Sequence, residues 1–228
     1  MASPVLSRGA GPLFPPHPFH KPSGWRGLLR RMGILRPLKA AREMSMIEIV
    51  AEKREEAAAR EALLDLCLPE RFEKASERIR EDRLPAEGLA LAAHGPDGRL
   101  AATVRLWHVS AGPARPALLL GPLAVHPWFR DRGLGGQMMR AALERAEALG
   151  HDAVLLVGDA PYYARFGFSA QKTSGLWMPG PFDPARLLGL ELKPGALDGA
   201  RGLISPTGLP AEKPSLDALI AATAKRSA

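Results

Sequence analysis

LGPLAVHPWFRDRGLGGQMMRAALERAEALG, residues 120–150, packs a strand, a glycine turn and a helix into one run. The strand begins slightly earlier. Residues 117–125 (ALLLGPLAV) are apolar except at Gly121-Pro122. Proline cannot donate a ladder hydrogen bond, so a buried strand here must break its pairing, which predicts a bulge in mid-strand. After His126-Pro127 the chain turns through Arg130, Asp131, Arg132, Gly133, Leu134, Gly135 and Gly136. It then places apolar residues at Leu134, Met138, Met139, Ala142, Leu143, Ala146 and Leu149. That spacing is helical, and it puts three glycines at a helix N-terminus.

Glycine permits positive φ and lets a ligand approach the backbone N–H groups without a Cβ in the way. Those N–H groups have no partner inside the helix and lie at the positive end of its dipole, so a phosphate is the natural ligand. Arg130 and Arg132 add mobile positive charge. A dinucleotide-type G-x-G-x-x-G fails, because Met138 stands at the third glycine. A P-loop fails as well, because no Gly-Lys-Ser/Thr follows.

What remains is Arg-x-x-Gly-x-Gly at Arg130, Gly133 and Gly135, directly after a strand ending Val-x-Pro. A second apolar run, 153–157 (AVLLV), is followed by Tyr162-Tyr163-Ala164-Arg165-Phe166-Gly167-Phe168. The two patterns in this order resemble the GNAT superfamily of N-acetyltransferases, a small predicted bacterial-type member. In that family the glycine loop binds the acyl-coenzyme A pyrophosphate, and a tyrosine stands four residues before a Gly-Phe pair. The resemblance covers roughly residues 46–192.

Outward from this centre the order is regular. Residues 47–51 alternate as a first strand, and 53–66 have helical spacing that ends at Pro69. The charged run 70–83 (ERFEKASERIREDR) reads as a second helix with a solvated face. Residues 89–94 and 100–109 flank Gly95-Pro96-Asp97-Gly98 as an antiparallel hairpin, and 187–192 form a last strand. The expected class is α/β with mixed α+β order. The resemblance implies a twisted mixed sheet, mostly antiparallel, flanked by helices, with two central strands splayed apart.

The chain has 228 residues and a net charge of +7. Residues 1–42 hold Arg8, Lys21, Arg26, Arg30, Arg31, Arg36, Lys39 and Arg42 and no acid, so the remainder is close to neutral. A basic groove for nucleic acid is therefore not expected on the domain. The expected organisation is a disordered, basic, Pro-rich extension over 1–44, the acetyltransferase domain over 45–194, and a Pro/Gly-rich tail over 195–228 with a small helix at 215–225. The extension reads either as a transit peptide or as an upstream stretch of reading frame before Met44 or Met46. No apolar run approaches the ~20 residues of a membrane span. The single cysteine, Cys67, reads as a buried small hydrophobe and suits a reducing compartment, here the cytoplasm. The six histidines offer no metal-ligand spacing, so no metal is expected.

The resemblance implies an acyl-CoA-dependent N-acyltransferase that moves an acetyl group from acetyl-CoA to an amine by direct attack. The acceptor is a small-molecule or peptide amine, and the protein is a monomer or homodimer. The alternative is a GNAT-fold acyl-CoA sensor or structural protein without turnover. By the same resemblance, the backbones of Leu123, Ala124 and Val125 pair with pantetheine. Arg130, Asp131, Arg132, Gly133, Leu134, Gly135 and Gly136 form the pyrophosphate loop, and Tyr163 is the general acid. An amine of pKa about 10.4 is mostly protonated at pH 7, so a base is needed. Glu70, Glu73, His108, His126 and Asp159 remain open for that role, as does a water chain to bulk.

Overall fold

The computed structural model describes residues 47–212. The expected extension over 1–44 and the small helix at 215–225 lie outside the described residues. Among the described residues eight strands and four α-helices follow in the order β1 (Ile49–Ala51), α1 (Ala57–Cys67), α2 (Ala75–Arg80), β2 (Ala90–His94), β3 (Leu100–Ala111), β4 (Pro116–Val125), α3 (Leu134–Ala148), β5 (Ala153–Val157), α4 (Ala160–Ala164), β6 (Gly175–Trp177), β7 (Leu187–Glu191) and β8 (Arg201–Pro206).

The sheet runs β1-β2-β3-β4-β5-β7, with β8 joined to the far end of β3 and β6 beyond it. Pairing is antiparallel except at β4–β5 and β6–β8. The β4–β5 pair is parallel because α3 supplies the crossover between them, as a parallel connection requires. The β2–β3 hairpin closes as the sequence predicts: the Gly98 amide donates to the Gly95 carbonyl at 2.9 Å, and the Arg99 amide to the Asp97 side chain at 3.1 Å.

Alternation along the central strands divides the core between the two faces of the sheet. Leu118 and Leu120 of β4 join Val154 and Leu156 of β5 under Leu134, Met138, Met139, Ala142 and Ala146 of α3. Leu119 and Leu155 point the other way, into a cluster with Ile79, Trp107, Leu176 and Ile204. Residues 153–156 of β5 are buried throughout, so this strand is fixed from both sides.

Three expectations are revised. The run 70–83 is not one helix. A 3-10 turn (Arg71–Glu73) is separated from α2 by Lys74, whose backbone is extended at φ −78° and ψ 137°. Nor are its charges all solvated, since Arg71 and Arg80 are buried. Their partners explain this: Arg71 reaches Asp65 at 2.5 Å and Glu61 at 3.0 Å, both on α1, and Arg80 reaches Glu77 at 2.7 Å. Finally, the sheet does not stop at residue 194. Ile204, Ser205 and Pro206 pair with Ala111, Ser110 and Val109, so the described part of the expected tail completes the sheet.

Candidate active site

The bulge forms where Pro122 demands it. Val104 of β3 pairs with Leu123, but Leu106 pairs with Leu120, so β4 carries one extra residue at Gly121-Pro122. This peptide bond is cis, and the Gly121 carbonyl accepts the indole N–H of buried Trp107 at 2.6 Å. Beyond the bulge β4 leaves β5. Their parallel pairing is confined to Leu118–Val154 and Leu119–Leu155, so residues 120–125 diverge from β5 and open a cleft.

The register decides which backbone groups face that cleft. The His126 amide donates to the Ala101 carbonyl at 2.8 Å. Antiparallel residues alternate between facing the partner and facing away, so Ala124 turns its N–H and C=O toward β3, while Leu123 and Val125 turn theirs outward. The Val125 carbonyl accordingly accepts from the Cys67 thiol and from Arg130 Nε, each at 3.3 Å. Of the three backbones expected to serve pantetheine, Ala124 is thus committed to the sheet. Cys67 is only half-buried and lines the cleft, which corrects its reading as a buried hydrophobe.

The glycine turn starts α3 as expected. Gly133 is its N-cap at φ +81°, a conformation that favours glycine, and the first intrahelical bond runs from Gln137 N–H to the Gly133 carbonyl at 3.1 Å. The amides of Leu134, Gly135 and Gly136 therefore have no acceptor within the helix. A cavity of about 610 Å³ lies against them, lined also by Leu123, Ala124, Val125, Arg130 and Asp131. Of the expected pyrophosphate-loop residues only Arg132 does not line it; its guanidinium lies 5.8 Å from the Phe129 ring centroid. Arg140 and Arg165 do line the cavity, and the sequence reading missed both. Arg140 lies seven residues into the run that begins at Gly133, and a search for basic residues two turns along the helix would have found it.

A second cavity of about 370 Å³ opens where β4 and β5 part, and shares Leu68, Leu123 and Tyr162 with the first. Tyr163 lines the second cavity and not the first, with its ring laid on Gly158, where a Cβ would come within 2.1 Å of the ring. Burial pushes the Tyr163 phenol above its ordinary pKa, and neighbouring Tyr162 adds to the rise, while Arg186 and Arg165 pull against it. Tyr162 is more exposed and stands under the Arg165 guanidinium, 3.7 Å from its ring centroid. Among the five candidate bases, only Asp159 lines the second cavity. His126 instead caps the turn that follows β4, its Nδ1 accepting from the Trp128 amide at 3.2 Å. The His108 ring lies 5.3 Å from that of His151.

Among the described residues no group of three His, Cys, Asp or Glu side chains is arranged to hold a metal ion, and no helix is long and apolar enough to cross a membrane. The family model described as Acetyltransferase (GNAT) family matches residues 57–168. The N-acetyltransferase YhbS of Escherichia coli K12 is 28% identical over 145 residues, spanning 62% of this chain and 87% of that protein. The N-acetyltransferase YjhQ of the same strain is 40% identical over 50 residues, 22% of this chain and 28% of that protein. The crystal structure of YhbS in complex with CoA is similar with a TM-score of 0.61 and 27% identity, covering 73% of this chain and 96% of that one. A GNAT family acetyltransferase from Brucella melitensis shares the fold at a TM-score of 0.52 and 24% identity, over 70% of this chain and 94% of that one. With its strand order, bulged β4 and glycine-started α3, this chain belongs to the GNAT family of N-acetyltransferases.

Proposed function

We propose that the protein transfers the acetyl group of acetyl-CoA to a primary amine by direct attack within the cleft between β4 and β5. The observation that carries this reading is the junction of two features in one cavity, the unpaired amides of α3 and the outward-facing backbone of Leu123 and Val125. The first suits a pyrophosphate, and the second suits the amides of a pantetheine arm.

In the reaction the neutral amine attacks the thioester carbonyl carbon, the C–S bond breaks and the coenzyme leaves as a thiolate that takes up a proton, while the attacking nitrogen gives up the proton that restores the donor. Tyr163 is the proposed proton donor, and its raised pKa keeps the phenol protonated at neutral pH. The acceptor ammonium must first lose a proton, and Asp159 is the carboxylate proposed to receive it, directly or through water. The YhbS structure holding CoA supports the choice of coenzyme. A cytoplasmic location, a small or peptide amine as acceptor and a monomeric or dimeric state belong to the same proposal.

The test is thiol release from acetyl-CoA over a panel of amines, with propionyl- and succinyl-CoA as donor controls. Amine-dependent release above the rate of hydrolysis supports transfer. Tight coenzyme binding with no release against any amine would leave a sensor instead.

A further inference from the structure

The cavity between β4 and β5 is lined by four cations, Arg71, Lys74, Arg80 and Arg186, and by one carboxylate, Asp159. Arg80 is the decisive member. It is only 7% exposed, and its guanidinium lies against the bulge, with Nη1 3.3 Å from the point a Cβ on Gly121 would occupy. Its Nη2 bonds Ser76 at 3.2 Å and Glu77 at 2.7 Å, but its buried Nε has no hydrogen-bond partner. Burial pulls this guanidinium below its ordinary pKa, and the nearby charge of Arg71 adds to that against the help of Glu77. Glu77 offsets the charge of Arg80, and Glu61 and Asp65 offset that of Arg71, so the excess positive charge of the cavity comes from Lys74 and Arg186 against the one carboxylate Asp159.

Resting on the acyl-transfer reading above, we propose that the acceptor is a small amine carrying a carboxylate, which Arg80 and the neighbouring cations hold against the bulge of β4. With Nη2 engaged by Ser76 and Glu77, Nη1 beside the bulge is the donor that can give a carboxylate a single charge-assisted hydrogen bond. The same positive field favours the neutral form of an amine placed within it, which is the form that attacks. Polyamines and aminoglycosides, being polycations, are repelled from this cavity.

The experiment compares matched amines that differ only in the carboxylate: phenylalanine with phenethylamine, histidine with histamine, and β-alanine with ethylamine. Thiol release is measured on the full chain, and the acetyl-CoA dissociation constant is measured calorimetrically on the same samples. Calorimetry of N-acetylphenylalanine against N-acetylphenethylamine, with CoA present, extends the comparison to enzyme that turns over slowly. The acidic member of each pair is expected to be favoured by about 10- to 100-fold, the worth of one charge-assisted pair. Arg80→Gln is expected to remove the preference through KM. Because it strands Glu77 and can unfold the protein, the exposed double variant Lys74→Gln/Arg186→Gln serves beside it and should shrink the preference several-fold. Acetyl-CoA binding with equal or reversed preference would overturn the carboxylate assignment and leave acyl transfer standing, as would phosphoethanolamine outperforming β-alanine. Absence of acetyl-CoA binding would overturn both.

Discussion

Gly135→Val is expected to cripple coenzyme binding while sparing the fold. A Cβ on Gly135 would lie 3.5 Å from Val125 Cγ2, 3.7 Å from the Tyr162 hydroxyl and 3.9 Å from Leu123 Cδ2. These are ordinary contact distances, so the first carbon is tolerated. The two further methyls of valine extend about 1.5 Å beyond it, into the space from which a phosphate must approach the α3 amides. Valine is also no worse than glycine inside a helix, which protects the melting temperature. Each charge-assisted hydrogen bond is worth about 1.5–3 kcal/mol, so pushing the phosphate off two amides removes about 3–6 kcal/mol, or roughly 10²- to 10⁴-fold in affinity. Calorimetric titration with acetyl-CoA, alongside thermal melting, reads both quantities. Affinity within about threefold of the unsubstituted protein, with unchanged melting, would refute the phosphate-loop assignment. Gly133→Ala gives the contrast. Nothing lies within 4 Å of a Cβ there, but φ is +81°, so about 1–2 kcal/mol of strain should appear mainly in stability.

The other substitutions probe separate parts of the site. Arg130→Ala should weaken acetyl-CoA only about 3- to 10-fold in the same titration, because an exposed charge contributes less than the backbone donors. Tyr163→Phe keeps the ring on Gly158 and should lower turnover about 10²-fold with little change in coenzyme affinity, whereas Tyr162→Phe should be nearly silent. If both are silent on an active enzyme, the proton comes from elsewhere. Since burial raises the Tyr163 pKa, kcat should climb with pH as the amine deprotonates and should fall only above about pH 10. Glu52 is opposed by its own burial, but Arg105 at 2.6 Å and Arg60 outweigh it and hold its carboxyl below the usual range. Its contribution is therefore complete above the ordinary carboxylate pKa of about 4.3 and is lost as pH falls through the lower folded value. Glu52→Gln should cost about 3 kcal/mol at pH 7, and its melting curve should converge on that of the unsubstituted protein in acid.

The parts legible in the sequence are those set by local chemistry. Pro122 announces the bulge because it lacks a donor, and the spacing from Leu134 to Ala146 fixes both the start of α3 and the face it buries. The missed parts depend on distant partners. In β8 only Ile204 is buried, so no alternation marks residues 201–206 as a strand. Pairing creates it, of residues 201–203 with β6 and of residues 204–206 with Val109, Ser110 and Ala111. Likewise, nothing local distinguishes Arg71 and Arg80 from the solvated charges around them. The carboxylates that let Arg71 be buried lie on α1, and the cavity that Arg80 lines forms only when β4 and β5 part. The family resemblance points to Tyr163 through the tyrosine placed four residues before Gly167-Phe168, whereas the packing of its ring on Gly158, just past β5, emerges only from the fold.

Residue-resolved amide chemical shifts during titration with CoA test the central claim most directly, since they show which backbone groups meet the coenzyme. The amides of Gly135 and Gly136 at the start of α3, and of Leu123 and Val125 on the free edge of β4, should shift strongly and saturate together. That of Ala124, bonded to β3, should move least of the three strand residues. Saturable CoA binding that leaves the glycine-loop amides unmoved, or that shifts Ala124 in place of Leu123 and Val125, would contradict a coenzyme seated between β4 and β5.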